Sequence, residues 1–480
     1  MKYLQMNRRH AVQAIAAGAL ASASGLGHAA APNDKIRLGI IGLGWRGGIL
    51  LDRFGEQGDV EIRWLCDADQ ARLDAAAAKA PHAQHTQDLR QVIDATDVDA
   101  VVIATCNHWH CLAAVWAIEA GKDVYVEKPL SHNLREGELV VAAARRHGAI
   151  VQLGTQQRSD PMQREVRALL HDEQTLGEIQ AVEVCRYGVR ESIGRRSEPL
   201  PPPASLDVDL WLGPAADEPV WRNAWHYDWH WMWNTGNGEM GNWGVHLIDD
   251  VVNVVLRDQL PLPKSVQGGG GRLGWNDAGE TPNVHFARLD ANGMPVTIGL
   301  SNLPGDPGGK KPLTRHGVAT GYIVYCEGGR YAGRRGGGVA YDTDGKVIRR
   351  FRGTGGEREH VRNFIDAVRS RDPDTLNAEI ALGDASTNWS HMANVAFRVG
   401  VAGDAALLQS DDPKWRGLIQ SLANHAKDNG SSLSSDDIRY SELLSIDAAK
   451  RRFVGAGADA ANGYLARIYR PGFEFPTAGA

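Results

Sequence analysis

The 480-residue sequence has only five cysteines, which are scattered and include no C-x-x-C pair. This odd, dispersed set indicates neither a disulfide framework nor a zinc knuckle. After the first thirty residues there is no run of eighteen or more apolar residues, so no membrane-spanning helix is predicted. The net charge of −6 argues against nucleic acid or an anionic membrane as the main partner. No internal repeat is evident.

The first thirty residues have the pattern of a targeting segment. Lys2, Arg8 and Arg9 precede the Ala- and Gly-rich stretch "AVQAIAAGALASASGLG", and small residues follow at 29–31. This order is typical of a cleaved signal peptide. "NRRHAVQA" loosely matches a twin-arginine signal, which exports folded proteins, and an ordinary secretory signal is the alternative. We therefore expect a signal peptide over residues 1–31 and a periplasmic protein exported by the twin-arginine route.

A glycine-rich turn follows the first apolar strand of the remaining chain. "KIRLGIIGLGWRGGIL" places Gly42, Gly44 and Gly47 between a strand and a helical pattern. In a dinucleotide-binding turn, the first glycine allows the tight turn. The second lets the backbone approach a pyrophosphate, and the third lets helix and strand pack closely. The next strand, "VEIRWLCDAD", ends at Asp67, twenty residues past Gly47, where a carboxylate can hold the adenosine ribose hydroxyls.

The position of Asp67 favours NAD as the cofactor, because a carboxylate repels the 2′-phosphate of NADP. Arg46 and Arg72 leave NADP open as the alternative. Further strands alternate with helices, as in "DVDAVVIAT", "HCLAAVWAIEAGK", "DVYVEKPL" and "AIVQLGTQQR", which predicts a doubly wound parallel sheet with its ligand beyond the strand ends. The predicted cofactor-binding residues are Gly42, Gly44, Trp45, Arg46, Gly47, Asp67, Thr105, Asn107, His110, Glu127, Lys128 and Gln156.

The second half of the chain predicts an open, mostly antiparallel sheet, which makes the fold class α/β. "NVHFARLDANGMPVTIGL" is a strand pair turning at Asn292 and Gly293, and "GYIVYCEGG" and "GGVAYDTDGKVIRRF" add strands. The breaker-rich "EPLPPPASLD" and "SNLPGDPGGKKPLTRHG" are expected to be rim loops or oligomer contacts, and we expect a homo-oligomer, a dimer or tetramer. We predict a Rossmann domain at 32–155, a substrate and oligomerisation domain at 156–400, and an extension packing on the body at 401–480.

Together with the glycine turn and "ATCNHWHCLAAVWAIEAGK", the segment "EAGKDVYVEKPL" resembles the Gfo/Idh/MocA oxidoreductase family, from residue 35 to about 400. "ANGYLARIYRPGFEFP" resembles the exported branch of that family. The resemblance implies a Rossmann domain followed by an α/β domain whose sheet faces the nicotinamide. It also implies carbohydrate or cyclitol substrates and hydride transfer to or from a carbinol carbon.

The family's two motifs give the candidate catalytic residues. Its E-K-P motif falls on Glu127, Lys128 and Pro129, and its second motif places His246 at the catalytic histidine. Asn242 stands where much of the family has Asp, and an amide can bond a hydroxyl but cannot carry a proton. Positions 242 and 246 would share one face of a helix expected from residue 239 onward.

The residues themselves leave the roles partly open. Lys128 can polarise a carbonyl oxygen or relay a proton, unless it is an ordinary surface charge. His246 titrates in the range of acid–base work, unless it is a buried, hydrogen-bonded histidine. Tyr227 is a further candidate proton donor.

One stretch, "WHYDWHWMWNTGNGEMGNWGVH", holds five of the fourteen tryptophans. Indole faces suit the C–H surfaces of pyranose rings, and His226, His230, Asn234 and Asn237 are candidates to bond hydroxyls. On an extended segment Trp229, Trp231 and Trp233 would share one face, although we expect roughly half of the local tryptophans to be structural. The predicted substrate-contacting residues are Arg158, Tyr227, Trp229, His230, Trp231 and Asn242. A metal is not predicted, because His226 with His230 and His108 with His110 lack a third ligand.

Three functions remain open at this point. The first is an NAD(P)-dependent oxidoreductase acting on a hydroxyl or carbonyl carbon of a sugar, with tightly bound cofactor. The alternative is a glycosidase that uses bound NAD for transient ring oxidation and elimination, although the second motif of such relatives is not recognised here. A non-catalytic sugar or nucleotide sensor is disfavoured because both Lys128 and His246 are present.

Overall fold

The computed structural model describes residues 35–403, 410–434 and 437–476. The predicted signal peptide at 1–31 lies outside the described residues. Within the described ranges, no helix is both long enough and apolar enough to cross a bilayer.

The first domain is built on a six-stranded parallel sheet in the order β3-β2-β1-β4-β5-β6. Its strands are β1 (Ile36–Ile41), β2 (Val60–Cys66), β3 (Gln84–Thr86), β4 (Ala100–Ile103), β5 (Asp123–Val126) and β6 (Val151–Leu153). The helices between them are α1 (Trp45–Gly55), α2 (Gln70–Ala77), α3 (Leu89–Asp94), α4 (Asn107–Glu119) and α5 (Leu134–His147). Strands β1, β4 and β5 are mostly apolar and almost wholly buried, as expected for a parallel sheet.

Helices cover both faces of this sheet, which confirms the doubly wound architecture. Helices α3, α4 and α5 pack on one face, and α1 and α2 pack on the other. The second face also receives α9 (Glu357–Ser370), which buries Val361 and Phe364 beside Phe54 of α1. The first domain's core is therefore completed by a helix from the region predicted as the second domain.

The second domain is a mixed, mostly antiparallel sheet. The order along it is β14-β13-β12-β11-β7-β10-β9-β8-β16-β15, with β17 and β18 attached beside β8. Its strands are β7 (Ile179–Tyr187), β8 (Ser265–Gly271), β9 (Val284–Ala291), β10 (Met294–Ser301), β11 (Thr320–Cys326), β12 (Gly329–Arg334), β13 (Gly337–Asp342), β14 (Val347–Arg352), β15 (Val401–Ala402), β16 (Ile438–Tyr440), β17 (Leu444–Asp447) and β18 (Arg452–Val454). β7 and β10 pair in parallel. The predicted hairpin turn between β9 and β10 is confirmed, with positive φ at Asn292 and Gly293.

Helices also cover this second sheet on both faces. The remaining helices are α6 (Pro161–His171), α7 (Val208–Leu212), α8 (Val245–Val254), α10 (Ile380–Val399), α11 (Pro413–Asp428) and α12 (Ala458–Asn462). α6, α8 and α10 share one apolar core with the sheet, whereas α11 buries Trp415, Leu418 and Leu422 against the opposite face. The residues after 400 thus supply both strands and a covering helix.

Candidate functional site

A cavity of about 990 Å³ opens at the carboxyl ends of the first sheet's strands and is closed on its other side by the second domain. Every predicted cofactor-binding residue except Gly47 lines this cavity. Of the predicted catalytic and substrate residues, those that line it are Lys128, Tyr227, Trp229, His230, Asn242 and His246. The two motifs, separated by more than a hundred residues in sequence, therefore meet in one place.

The glycine turn has no room for side chains at two of its positions. Gly42 has φ +87°, and a Cβ there would lie 2.6 Å from the carbonyl oxygen of Ala104. A Cβ on Gly47 would lie 1.8 Å from the carbonyl oxygen of Gly42, so Gly47 supports the turn from behind. Glycine at both positions therefore keeps the turn packed tightly between the end of β4 and the start of α1, the geometry typical of pyrophosphate binding at a helix N-terminus.

Asp67 is oriented into the same cavity by two backbone amides. Its carboxylate oxygens accept hydrogen bonds from the Leu43 amide at 2.7 Å and the Asp69 amide at 2.9 Å. The remaining lone pairs face the cavity, where ribose hydroxyls can donate to them. This geometry fits the adenosine ribose of NAD.

Arg46 forms ion pairs away from the position proposed for the ribose. Its guanidinium pairs with Glu127 at 2.6 Å and with Glu357 at 2.9 Å, and Glu357 also accepts a hydrogen bond from Gln156 at 2.9 Å. Because two carboxylates already pair with Arg46, it is a poor candidate to bind the 2′-phosphate of NADP. Arg72 is the cation that remains for this role. Trp45 is 80% exposed at the cavity mouth.

Residues at the end of β4 and the start of α4 form the next part of the wall. Asn107 donates a hydrogen bond to the side chain of Asn237 at 3.2 Å, which ties the first domain to the tryptophan-rich stretch. The ring nitrogens of His110 lie 2.7 Å from the Pro129 carbonyl and 3.2 Å from the Thr105 carbonyl. His110 is therefore a buried residue that links the segments following β4 and β5 through its hydrogen bonds.

Lys128 contacts Asn242 directly across the domain boundary. Its Nζ donates to the Asn242 backbone carbonyl at 2.7 Å and lies 3.4 Å from the side-chain oxygen. Burial lowers the pKa of Lys128 to about 8, against the opposing effect of the Glu127 charge. A lysine of this kind exchanges a proton readily near neutral pH.

His246 lies on the same wall, and its pKa is well below the ordinary value because burial and the charge of Arg335 both disfavour the imidazolium. It is therefore a neutral imidazole at neutral pH. The helix expected from residue 239 onward is present, but it contains a π-helical turn at Met240–Gly244 before the regular α-helix Val245–Val254. Asn242 and His246 nevertheless face the same cavity, and π turns are frequent at functional sites.

Glu239 is a buried carboxylate behind this wall that sequence reasoning missed. It pairs with Arg186 at 2.7 Å and Arg190 at 2.8 Å, and it accepts a hydrogen bond from the Asn242 amide at 3.3 Å. Burial opposes ionisation, but the two arginines dominate and leave the pKa of Glu239 lowered. Arg190 also donates to the Tyr227 hydroxyl at 2.8 Å, so that phenol keeps its own proton free to donate.

The prediction that Trp229, Trp231 and Trp233 share one face is wrong. Asp228–Trp231 is a short 3₁₀ helix rather than an extended segment, and its rotation sends the rings in different directions. Trp229 lines the cavity and stacks on His230 at 3.6 Å, whereas Trp231 is only 3% exposed and lies under the Arg190 guanidinium. Trp233 packs against Phe397.

Most of the polar side chains proposed to bond hydroxyls are structural. His226 pairs with Asp69 at 2.8 Å, Asn234 bonds the backbone of Ala216, and Asn237 bonds the backbone of His132. His230 does face the cavity, with its pKa lowered to about 3 by burial.

Arg158, also predicted to contact substrate, does not reach the cavity. It is buried in ion pairs with Asp249 at 2.8 Å and Asp258 at 2.9 Å, so it stabilises the second domain instead. Trp231 likewise has no cavity contact. In the part of the chain that the structure describes, no three His, Cys, Asp or Glu side chains are grouped as metal ligands.

The cavity residues that sequence reasoning missed come from distant segments. Those that lie near Lys128 and His246 include Arg186, Arg190, Trp243, Arg335 and Glu357. Trp243 stood inside the second motif, where its position between Asn242 and His246 was a usable signal. Arg186 lies within β7, Arg190 follows that strand and Arg335 follows β12, and none of the three has a local sequence pattern that indicates a cavity.

Comparisons with known proteins agree with this fold. A family profile described as "Oxidoreductase family, NAD-binding Rossmann fold" matches residues 36–155, and one described as "Oxidoreductase family, C-terminal alpha/beta domain" matches residues 192–271. The solved structure of the WlbA dehydrogenase from Bordetella pertussis, in complex with NADH and UDP-GlcNAcA, has a TM-score of 0.57 and 18% identity. It covers 76% of this chain and 96% of that one, and at this identity it shows the fold.

Two curated relatives match part of the chain. A "Glycosyl hydrolase family 109 protein" of Solibacter usitatus is 38% identical over 117 residues, 22% of this chain and 26% of that protein. "Inositol 2-dehydrogenase 4" of Saccharopolyspora erythraea is 37% identical over 144 residues, 29% of this chain and 42% of that protein. The chain therefore spans less than half the length of these relatives. Residues 36–155 and 192–271 thus match the two domain profiles of the Gfo/Idh/MocA oxidoreductases, the family that the sequence motifs resemble.

Proposed function

We propose that this protein transfers hydride between NAD and a hydroxyl-bearing carbon of a sugar or sugar derivative. The observation that carries the proposal is the meeting of Lys128, Asn242 and His246 in the cavity that also contains Asp67 and the glycine turn. The inositol dehydrogenase relative and the fold shared with a sugar-nucleotide dehydrogenase support a carbohydrate substrate.

The residues present fit NAD. The glycine turn and the amides at the start of α1 would hold its pyrophosphate, and Asp67 would hold its adenosine ribose. When bound, NAD supplies the hydride acceptor or donor, and the protein supplies position and proton transfer.

Lys128 is the residue best placed to act on the reacting oxygen. As an ammonium it polarises a carbonyl and donates a proton to the alkoxide that forms, and as a neutral amine it removes the hydroxyl proton in the reverse direction. A pKa of about 8 makes both forms accessible near neutral pH. Its contact with the Asn242 carbonyl fixes the direction of the amine.

His246, Asn242 and Tyr227 complete the proposed substrate contacts. The neutral imidazole accepts a hydroxyl hydrogen bond, and the Asn242 side chain orients a hydroxyl without carrying charge. Trp229, stacked on His230, offers an apolar surface for the sugar's C–H face.

A redox-assisted glycosidase is the second candidate, because the Solibacter usitatus relative is named a glycosyl hydrolase. In that reaction, transient oxidation of a ring carbon acidifies the neighbouring C–H and permits elimination of the glycosidic group. The same Lys128 and His246 would handle the protons.

Product analysis separates the two functions. Purified protein is incubated with a panel of free sugars and of their methyl glycosides, and the products are identified by mass spectrometry. An oxidised sugar with its glycosidic bond intact supports the oxidoreductase, and Lys128→Ala should abolish it. Release of methanol with no net oxidation supports the glycosidase.

We also propose that the protein is exported to the periplasm, on the pattern of residues 1–31. Soluble NAD is absent there, so the cofactor would remain bound and be recycled by a second substrate. Fractionation of cells producing the full chain tests this. Protein confined to the cytoplasm, with residues 1–31 still attached, would contradict export.

A further inference from the structure

We propose that the substrate carries a negatively charged group, a carboxylate or a phosphate, which binds to Arg335 beside Trp243 and His246. This inference rests on the proposed function, because it concerns the substrate end of the same cavity. It narrows the substrate class from sugars in general to acidic sugars.

The substrate end of the cavity holds more cations than anions. Its cations are Arg46, Lys128, Arg186, Arg190 and Arg335. The carboxylates that face them are Glu127, Glu239 and Glu357. Five cations against three carboxylates leave an excess of two positive charges. An uncharged sugar would leave this excess uncompensated in a partly buried site.

Arg335 is the cation that the protein itself leaves unmatched. Arg46 has two carboxylate partners, and Arg186 and Arg190 share Glu239. Among the described residues, no hydrogen-bond or ion-pair partner is found for the Arg335 guanidinium. It lines the cavity, and burial together with the charge of Arg46 lowers its pKa against the attraction of Asp250, Glu357 and Glu127, none of which forms an ion pair with it among the described residues.

The carboxylate that acts most strongly on Arg335 does not form an ion pair with it. Asp250 of α8 raises the pKa of Arg335, but it lies beyond ion-pairing distance, and its carboxylate accepts from Gln157 at 3.1 Å. Burial raises the pKa of Asp250 itself well above the usual range, which favours the neutral acid. The guanidinium is therefore available to an anion from the cavity side.

Trp243 gives the proposed anion site its position relative to the chemistry. Its ring has the Arg186 guanidinium at 4.6 Å and the Arg335 guanidinium at 5.8 Å, and it lies 5.8 Å from the His246 ring. Arg335 also acts on the pKa of His246 more strongly than any other charged group, and it acts on Lys128 as well. An anion on Arg335 would thus lie beside the residues proposed to act on the reacting carbon.

The oxidised nicotinamide ring would add a further positive charge to this end of the cavity. An anionic substrate would neutralise the charge of the nicotinamide ring in addition to the charge of Arg335. A guanidinium is suited to this role because it presents paired N–H donors to the oxygens of a carboxylate or phosphate.

Binding to matched sugars tests the proposal. NADH-loaded protein is titrated calorimetrically with glucose, galactose and mannose, each as the neutral hexose, the uronate and the 6-phosphate. At least one acidic form should bind about ten- to one-hundredfold tighter than its neutral parent, as for a charge-assisted hydrogen bond. The uronate and phosphate arms identify which anion is preferred.

Variants of Arg335 test whether this residue causes the preference for acidic over neutral sugars. Arg335→Met should abolish the preference for the acidic form, while Arg335→Lys should keep part of it. Arg334→Met is the matched control, because Arg334 is the exposed neighbour and does not line the cavity. Melting temperatures show whether each variant is folded, and the Arg335→Lys protein keeps the test valid where the methionine variant is unstable.

The proposal is overturned when no acidic sugar binds more tightly than its neutral parent, or when Arg335→Met retains the preference. It is also overturned when Arg335→Met loses NADH rather than the acidic sugar. Neutral sugars oxidised in preference to acidic ones would refute this inference and leave the proposed oxidoreductase intact. Acidic sugars that bind tightly without any hydride transfer would refute the oxidoreductase instead.

Discussion

Asn242, which contacts Lys128, stands where much of the family that the sequence resembles has an aspartate. Glu239 already places a negative charge behind Asn242, and two arginines hold it there. A second carboxylate at position 242 would lie beside Glu239 and be repelled by it. The amide instead joins Glu239 to Lys128 through hydrogen bonds.

This arrangement predicts a specific pH response. With neutral Lys128 as the base, the rate of sugar oxidation should rise through about pH 8 and then level off. Asn242→Asp puts a negative charge beside the ammonium, stabilises it and raises the pKa of Lys128, so the rise should move to higher pH by about one unit or more. The measurement is kcat for oxidation as a function of pH.

Asn242→Ala is the control for that experiment. The 2.7 Å hydrogen bond from Lys128 goes to the backbone carbonyl of residue 242, which the alanine retains. Its profile should rise at the same pH as the wild type, with a higher KM. If kcat of Asn242→Asp rises at the same pH as kcat of the wild type, Lys128 is not the group that transfers the proton.

Residues within a local motif could be predicted from the sequence, and residues whose partners are distant could not. Gly42, Asp67 and Lys128 each follow a recognisable strand, so their place at a sheet end was predictable. Arg158 also follows a strand, but its side chain turns to Asp249, ninety-one residues later, and sequence spacing carries no sign of that pairing. Arg335 lies in a glycine-rich turn for which the sequence suggested no role.

At the scale of elements, two short irregular helices decide which side chains face the cavity. The π-helical turn at Met240–Gly244 presents Asn242 and Trp243, and the 3₁₀ helix at Asp228–Trp231 presents Trp229 but turns Trp231 away. The regular strands and helices followed from apolar periodicity. Apolar periodicity does not distinguish these tight or wide turns from an ordinary helix or strand, so the tryptophan orientation was mispredicted.

The two tryptophans should therefore respond differently to truncation. Trp231→Ala removes a buried ring with no cavity contact and should lower the free energy of unfolding by about 3–5 kcal/mol with KM little changed. Trp229→Ala should raise KM for the sugar, because its ring lines the cavity. Denaturant unfolding and kinetics are measured on the same samples. Equal KM values in the two variants would show that the stretch faces protein rather than sugar.

At the scale of the whole molecule, the residues after 400 complete the second sheet. They add strands β15 to β18 at one side and cover the far face with α11. The sequence predicted an extension packing on the body, but its strands were too short and too irregular in pattern to be recognised. The predicted homo-oligomer would have to associate through a surface other than the face under α11.

Removing the main anchor of α11 tests this description. Trp415 is fully buried between the helix and the sheet, so Trp415→Ala should lower the free energy of unfolding by about 3–5 kcal/mol. It should also promote self-association through the loosened apolar face. Gln420→Ala, on the exposed side of the same helix, is the control. Urea unfolding and size-exclusion chromatography report the two effects, and an unchanged Trp415→Ala protein would contradict the packing described here.

Hydride transfer between a sugar carbon and a cofactor held by the glycine turn and Asp67 can be measured directly. Sugars deuterated at their carbinol carbons are incubated with the protein, and the cofactor released on denaturation is analysed by mass spectrometry. Purified protein should release NAD, and after incubation with a substrate sugar the reduced cofactor should carry one deuterium. Lys128→Ala should release NAD without deuterium. Release of no nicotinamide cofactor from the folded protein, or of one that gains no deuterium from any sugar of the panel, would contradict the proposed hydride transfer.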